Sequence, residues 1–251
     1  MSPRSVLADL RLAVAFLTRI PAHDPDRPFD AAALTRAALW FPLVGVLIGG
    51  LMGGVRALAD LGLDPAPATL LALLAAVLVT GGFHEDGLAD ASDGMGAHVA
   101  RERRLEIFKD SRVGTYGALA VAFMVAFPLI TLAPLGSEDF LRAALCGHVL
   151  GRWSTLPQSW LLPAAGQEGT GSLVRATPPV VLAASAYSAM IVLLVAGPGP
   201  GALALGVAVL LTALGGAYFR VRLGGVSGDT FGAVNKVVEL AVYAALGAAL
   251  I

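Results

Sequence analysis

Stretches of about twenty nearly uncharged residues recur along this chain, separated by short breaks that are charged or rich in Gly and Pro. At 1.5 Å per residue such a stretch matches a hydrocarbon layer of about 30 Å. In lipid every backbone N–H and C=O needs an internal partner, so runs of this length without strand alternation fold as helices. The composition closes off the soluble alternative. Apolar residues make up 57% of the 251 positions and charged residues 14%, whereas soluble domains carry about 25% charge. The expectation is an all-α, polytopic helical bundle, with residues 1–251 forming a single integral membrane domain.

Residues 3–20 place Val6, Leu7, Leu10, Val14 and Leu17 at helical spacing, with Arg4, Asp9 and Arg11 between them. This pattern predicts an amphipathic helix on the membrane or against the bundle. Pro21 ends it, and no signal-peptide pattern precedes it. Seven spans are expected, over 36–59, from 68 into an acidic stretch, and over 115–135, 138–162, 179–196, 202–221 and 229–251. In the first, Gly45, Gly49, Gly50, Gly53 and Gly54 form small-xxx-small patterns suited to close helix contact. Lys and Arg concentrate in alternate loops, while the breaks at 62–67, 134–137 and 197–201 contain none. By the positive-inside rule the N-terminus is cytoplasmic and the C-terminus lies outside. The acidic stretch, the basic loop after it and residues 224–229 then share the cytoplasmic face. A net charge of -1 gives no reason to expect nucleic acid as a partner. Cys146 is the only cysteine, which excludes an intrachain disulfide and a cysteine-rich zinc site.

The acidic stretch, residues 81–94, reads Gly-Gly-Phe-His-Glu-Asp-Gly-Leu-Ala-Asp-Ala-Ser-Asp-Gly. On a continuing helix Asp86, Asp90 and Asp93 share one face at i, i+4 and i+7, where like charges destabilise the helix unless neutralised. One reading is the hydrated end of a span. The other is a divalent cation with oxygen ligands, and small residues at 87, 89, 91 and 94 leave room for a polar ligand. Glu85 points off the Asp face. His84 is open between a structural hydrogen bond and a catalytic role.

Two further constellations carry chemistry. Lys109, Asp110, Ser111, Arg112 and Gly114 combine cations, a hydroxyl and a glycine just before a helix start, which suits phosphate oxygens; the alternative is a basic anchor for the next span. Asp229, Thr230, Asn235, Lys236 and Glu239 follow a Gly-rich turn at 224–228, and an acid inside a span is a functional candidate because burying it is costly; the competing reading is a Lys236–Glu239 ion pair that locks two helices. Arg152, within the fourth span, pairs with a bundle acid or holds a substrate phosphate. Together these point to metal-assisted transfer of a phosphoryl-type group.

The chain resembles the cobalamin synthase family, the adenosylcobinamide-GDP ribazoletransferases. The residues that carry the likeness are Leu17 to Pro21, Phe41-Pro42 with Gly45, the stretch 81–94, Lys109 to Arg112 with Gly114 and Gly117, Gly151-Arg152, and Gly224-Gly225 through Gly228-Asp229-Thr230. The resemblance implies a multi-pass bacterial inner-membrane enzyme whose active site faces the cytoplasm. Its substrates would be adenosylcobinamide-GDP and α-ribazole or its 5′-phosphate, its product adenosylcobalamin or the 5′-phosphate, with GMP released. Mg²⁺ is the implied cofactor. Its partners would be the two substrates and the lipid bilayer, together with a second copy or other enzymes of the pathway. On this reading Mg²⁺ sits on Asp86, Asp90 and Asp93, and Lys109 and Arg112 stabilise departing GMP. The ribazole 5′-oxygen attacks phosphorus, with His84 or an aspartate as base. Asp110, Ser111, Gly114, Arg152, Asp229, Thr230, Asn235 and Glu239 contact substrate. Lys236 stands where relatives commonly carry Glu. Two rivals remain: a CDP-alcohol phosphotransferase-like enzyme, whose motif 86–93 matches only in part, and a cation transporter.

Overall fold

The amphipathic N-terminal pattern is realised as α1 (Pro3–Leu17), with Leu12, Ala13 and Leu17 turned into the core. The computed structural model describes residues 3–22, 31–108, 110, 112–165 and 174–250. Among these, every regular element is helical, and a single bridge between Ala164 and Val226 is the only β contact. A short helix, α2 (Ala31–Ala37), runs through a 3₁₀ turn into α3 (Phe41–Ala59), with Pro42 in its first turn, where a missing N–H costs nothing.

The bundle is organised around α3 and α8 (Ser137–Leu161). They cross so closely that a Cβ on Gly45 would overlap the His148 carbonyl, and one on Gly49 would lie 2.8 Å from the Ala144 carbonyl oxygen. Gly50 and Gly54, on the other side of α3, face open space. The small-residue pattern therefore works on one face only. Near the end of α3, Arg56 is buried and ties three segments together. Its Nε donates to Asp60 Oδ1 at 2.7 Å, its Nη1 to Thr69 Oγ1 at 2.9 Å and its Nη2 to the Leu135 carbonyl at 3.1 Å. Asp60 also accepts from Ser137 Oγ at 2.6 Å.

The second expected span does not continue into the acidic stretch. Helix α4 (Pro65–Thr80) stops at Gly81 and Gly82, both left-handed at φ 70° and 72°. α5 (Phe83–Gly96) then leaves at 90° to it. Two consecutive left-handed residues end an α-helix, and only glycine adopts them without a Cβ penalty. The polar segment after α5 contains a short helix, α6 (Arg101–Ile107), held where Arg101 Nε donates to the Leu223 carbonyl at 2.6 Å.

The remaining helices are α7 (Thr115–Leu132), α9 (Pro178–Ala196), α10 (Pro198–Leu223) and α11 (Gly228–Leu250). Five helical stretches are long and apolar enough to cross a membrane, or six if the bent pair α4–α5 counts as one. The sequence pattern predicts seven. The difference lies at the α4–α5 bend and at α8, which at 25 residues is long enough but carries Glu138, Asp139, Arg142, His148 and Arg152. It is the central helix of the bundle, and its His148 and Arg152 are buried in protein, while at its start Glu138 is exposed and Arg142 partly so.

Candidate active site

Helix α5 is short and polar and is set at 90° to α4, so its acids leave the line of that apolar helix. It packs against the start of α11 at a near-contact of two glycines. A Cβ on Gly87 would come within 3.0 Å of the Asp229 carbonyl oxygen, and one on Gly232 within 3.2 Å of Gly87 Cα. This approach sets Asp229 beside Asp86 and Asp90. Partial burial, followed by repulsion from Asp86, Asp229 and Asp93, pushes the Asp90 carboxyl up to about 7. Among the described residues, neither the Asp86 nor the Asp90 carboxylate has a hydrogen-bonding or ion-pair partner. An open cleft of about 700 Å³ lies alongside, lined by Asp86, Glu85, Ala89, Gly81, Gly82 and, from the end of α1, Thr18 and Arg19.

Asp93 has a different environment from the other two aspartates. Its Oδ2 accepts from the Gly114 N–H at 2.7 Å and its Oδ1 from the Gly117 N–H at 2.9 Å. Both oxygens thus meet the free amides of the α7 N-terminus, where a helix favours negative charge. Helical spacing groups Asp93 with Asp86 and Asp90, but the fold engages it in docking α7 onto α5. Gly114 is placed by that same contact.

In the basic loop, Arg112 forks onto its neighbour Asp110, Nε to Oδ1 at 3.0 Å and Nη2 to Oδ2 at 2.6 Å. The pair is exposed, and the guanidinium lowers the Asp110 carboxyl to about 2. Lys109 and Ser111 lie outside the described residues.

His84 turns inward. It is buried, its ring edge-on to Phe83 at 5.2 Å, and it does not line the cleft. Burial, with Arg152 and Lys236 nearby, keeps its imidazole neutral. Glu85, off the aspartate face as expected, reaches Lys236 Nζ at 3.1 Å. Lys236 also pairs with Glu239, whose other oxygen meets Arg152 Nη1 at 2.6 Å and His148 Nδ1 at 2.9 Å. Tyr243 Oη lies 3.3 Å from His148 Nε2. Arg152 and Glu239 are therefore each other's partners inside the bundle. Asn235 is fully buried against Gly151, and Thr230 folds back onto Ser227, its Oγ1 accepting that N–H at 2.8 Å. Of the polar set on α11, Asp229 alone meets the acidic cluster on α5.

Arg19, which lies in one of the stretches that carry the family resemblance but received no role in the sequence reading, also lines the cleft.

With this geometry established, the family model for cobalamin-5-phosphate synthase matches residues 9–247. The chain belongs to the cobalamin-5-phosphate synthase family. Among similar proteins of known name, an adenosylcobinamide-GDP ribazoletransferase of Mesorhizobium japonicum is 38% identical, covering 100% of this chain and 96% of the relative. Proteins of the same name from Bradyrhizobium diazoefficiens and a Polaromonas species are 36% and 37% identical, each covering 95% of this chain and 93% and 96% of the relative, respectively. No solved structure matches the chain. The matched region of this cobalamin-5-phosphate synthase family member includes α5, the basic loop, α8 and most of α11, and so takes in both the acidic cluster and the buried ion network.

Proposed function

We propose that this chain is an adenosylcobinamide-GDP ribazoletransferase of cobalamin synthesis, acting at the cytoplasmic face of a bacterial inner membrane. The observation that carries this reading is the group of Asp86, Asp90 and Asp229 beside an open cleft of about 700 Å³. The named relatives match over nearly their whole length. The distribution of Lys and Arg among the loops supports the orientation.

Among the described residues, no group of three or more His, Cys, Asp or Glu side chains converges as a complete metal cage. Mg²⁺ does not require one, since it commonly takes one or two carboxylates together with water and substrate phosphates. Asp86 and Asp90 offer hard oxygen donors without a competing cation, and the donor set fits. We place the metal on these two and leave Asp93 to the α7 N-terminus. When bound, Mg²⁺ supplies charge neutralisation at the diphosphate. The chain's own residues orient the diphosphate along the cleft wall, and Gly87 and Gly232 hold Asp229 against the pair.

In the reaction a ribazole hydroxyl forms a bond to the phosphorus carried by cobinamide, and the bond from that phosphorus to the oxygen of GMP breaks. The family description names a 5-phosphate of cobalamin. A product that keeps the 5′-phosphate has its 5′-oxygen already esterified, which favours another ribose hydroxyl as nucleophile over the 5′-oxygen. Its proton passes to a cleft carboxylate rather than to His84, which faces the bundle interior. The test is GMP release from adenosylcobinamide-GDP by the purified protein in proteoliposomes. Release should require both the ribazole acceptor and Mg²⁺. Metal-dependent ion flux without GMP release would instead identify a transporter.

A further inference from the structure

We infer that Arg19 is a substrate-binding residue that grips the diphosphate of the nucleotide-activated substrate in the cleft it shares with Asp86. The inference rests on the reading of the cleft as the place of phosphoryl transfer and assigns a binding group within it.

Location is the first ground. Arg19 and Asp86 line the same cleft. Arg19 is exposed, and among the described residues no hydrogen bond or ion pair engages its guanidinium. Glu85 lines the cleft too but is paired with Lys236. A guanidinium and an acidic cluster that share a cavity without neutralising each other leave room for a ligand bearing both an anion and a bound cation.

The second ground is that Arg19 is held in place. Its backbone N–H donates to the Val79 carbonyl at 2.7 Å, joining the end of α1 to the last turn of α4. Just before it, Thr18 Oγ1 donates to the Val14 carbonyl at 2.6 Å and accepts the Ile20 N–H at 3.1 Å. The end of α1 is thereby closed off and its exit direction set.

The third is a slot cut for the side chain. The guanidinium lies over Gly81, where an added Cβ would overlap Nε and come within 2.8 Å of Cζ and 2.9 Å of Nη2. The left-handed glycine that bends α4 into α5 thus also makes the space in which Arg19 rests. A solvated surface arginine needs neither the tether nor the slot. A planar fork carried at one edge of a cleft on a tethered backbone suits phosphate oxygens, which accept two parallel N–H bonds.

The experiment compares wild type, Arg19→Gln and Arg19→Lys in proteoliposomes, with KM measured separately for adenosylcobinamide-GDP and for the ribazole acceptor. Equilibrium dialysis of adenosylcobinamide-GDP without acceptor adds a direct binding readout. Losing a charge-assisted contact should raise KM and Kd for adenosylcobinamide-GDP about 10- to 100-fold in Arg19→Gln, with the acceptor KM unchanged. Arg19→Lys should fall between, keeping the charge without the fork. Unchanged KM and Kd in Arg19→Gln, or equal rises for both substrates, would overturn the assignment. If Arg19→Gln does not purify folded, Arg19→Lys decides by the same selectivity. Absence of GMP release in wild type would instead defeat the reading of the cleft itself.

Discussion

Asp86 and Asp90 share a face of α5 because four residues make about one turn, and this much is legible from spacing alone. Asp93 shows the limit of that logic, because its partners are amides more than twenty positions away on α7. Asp86→Asn should lower GMP release about 100-fold or more while the protein stays folded, read as initial rate beside a thermal unfolding curve. Asp93→Asn should instead cost about 1 kcal/mol of stability through one weakened amide contact. The Asp90 carboxyl gives a pH signature. Its pKa in the fold, about 7, lies above the ordinary 3.8. Ionising it therefore costs stability progressively as pH rises from about 4 to 7, and the full penalty remains above that. In chelator the unfolding temperature should be lower at pH 8 than at pH 5.5. Mg²⁺ should raise it more at pH 8, where no proton competes for the carboxylate. Equal Mg²⁺ effects at the two pH values would count against a metal on Asp90.

At the scale of elements, the helices were readable because each apolar run is long and bounded by Pro, Gly or charge. The right-angle turn between α4 and α5 was not, since the apolar pattern and the acids form one uninterrupted helical period across Gly81 and Gly82. Only the two left-handed glycines reveal that α5 turns aside instead of extending α4. The crossing of α5 with α11 was equally hidden, because Gly87 and Gly232 are 145 positions apart and single glycines are common in such helices. Gly232→Val should push the two helices apart, at a cost of about 1–3 kcal/mol from overpacking. It should also lower the rate of GMP release by separating Asp229 from Asp86. The check is to measure rate and unfolding temperature together in Gly232→Val and in Gly50→Val, whose Cβ meets nothing; the second variant should resemble wild type.

Across the whole molecule, polar groups divide between an acidic cluster beside the cleft and an interior that carries paired charges. Sequence leaves Arg152 and Glu239 open between an ion pair inside the bundle and a substrate role, because a buried charge is costly, and the resemblance implies substrate contacts for both and for Asn235. The fold resolves that choice as pairing, and joins Glu85 on α5, Arg152 on α8 and Lys236 and Glu239 on α11 into one network that sequence spacing alone does not connect. Breaking such a pair leaves an uncompensated buried charge, so Glu239→Gln should destabilise the bundle by about 3–5 kcal/mol, visible as a large fall in unfolding temperature in detergent. The interior network also has an electrical consequence. It contains two carboxylates, Glu85 and Glu239, and two permanent cations, Arg152 and Lys236. A membrane potential acts on net charge, at about 2.3 kcal/mol per elementary charge per 100 mV, and this group sums to zero. The polar heart of the bundle therefore feels almost no net force from the voltage across the membrane, and turnover should run at the same rate in energised and de-energised vesicles.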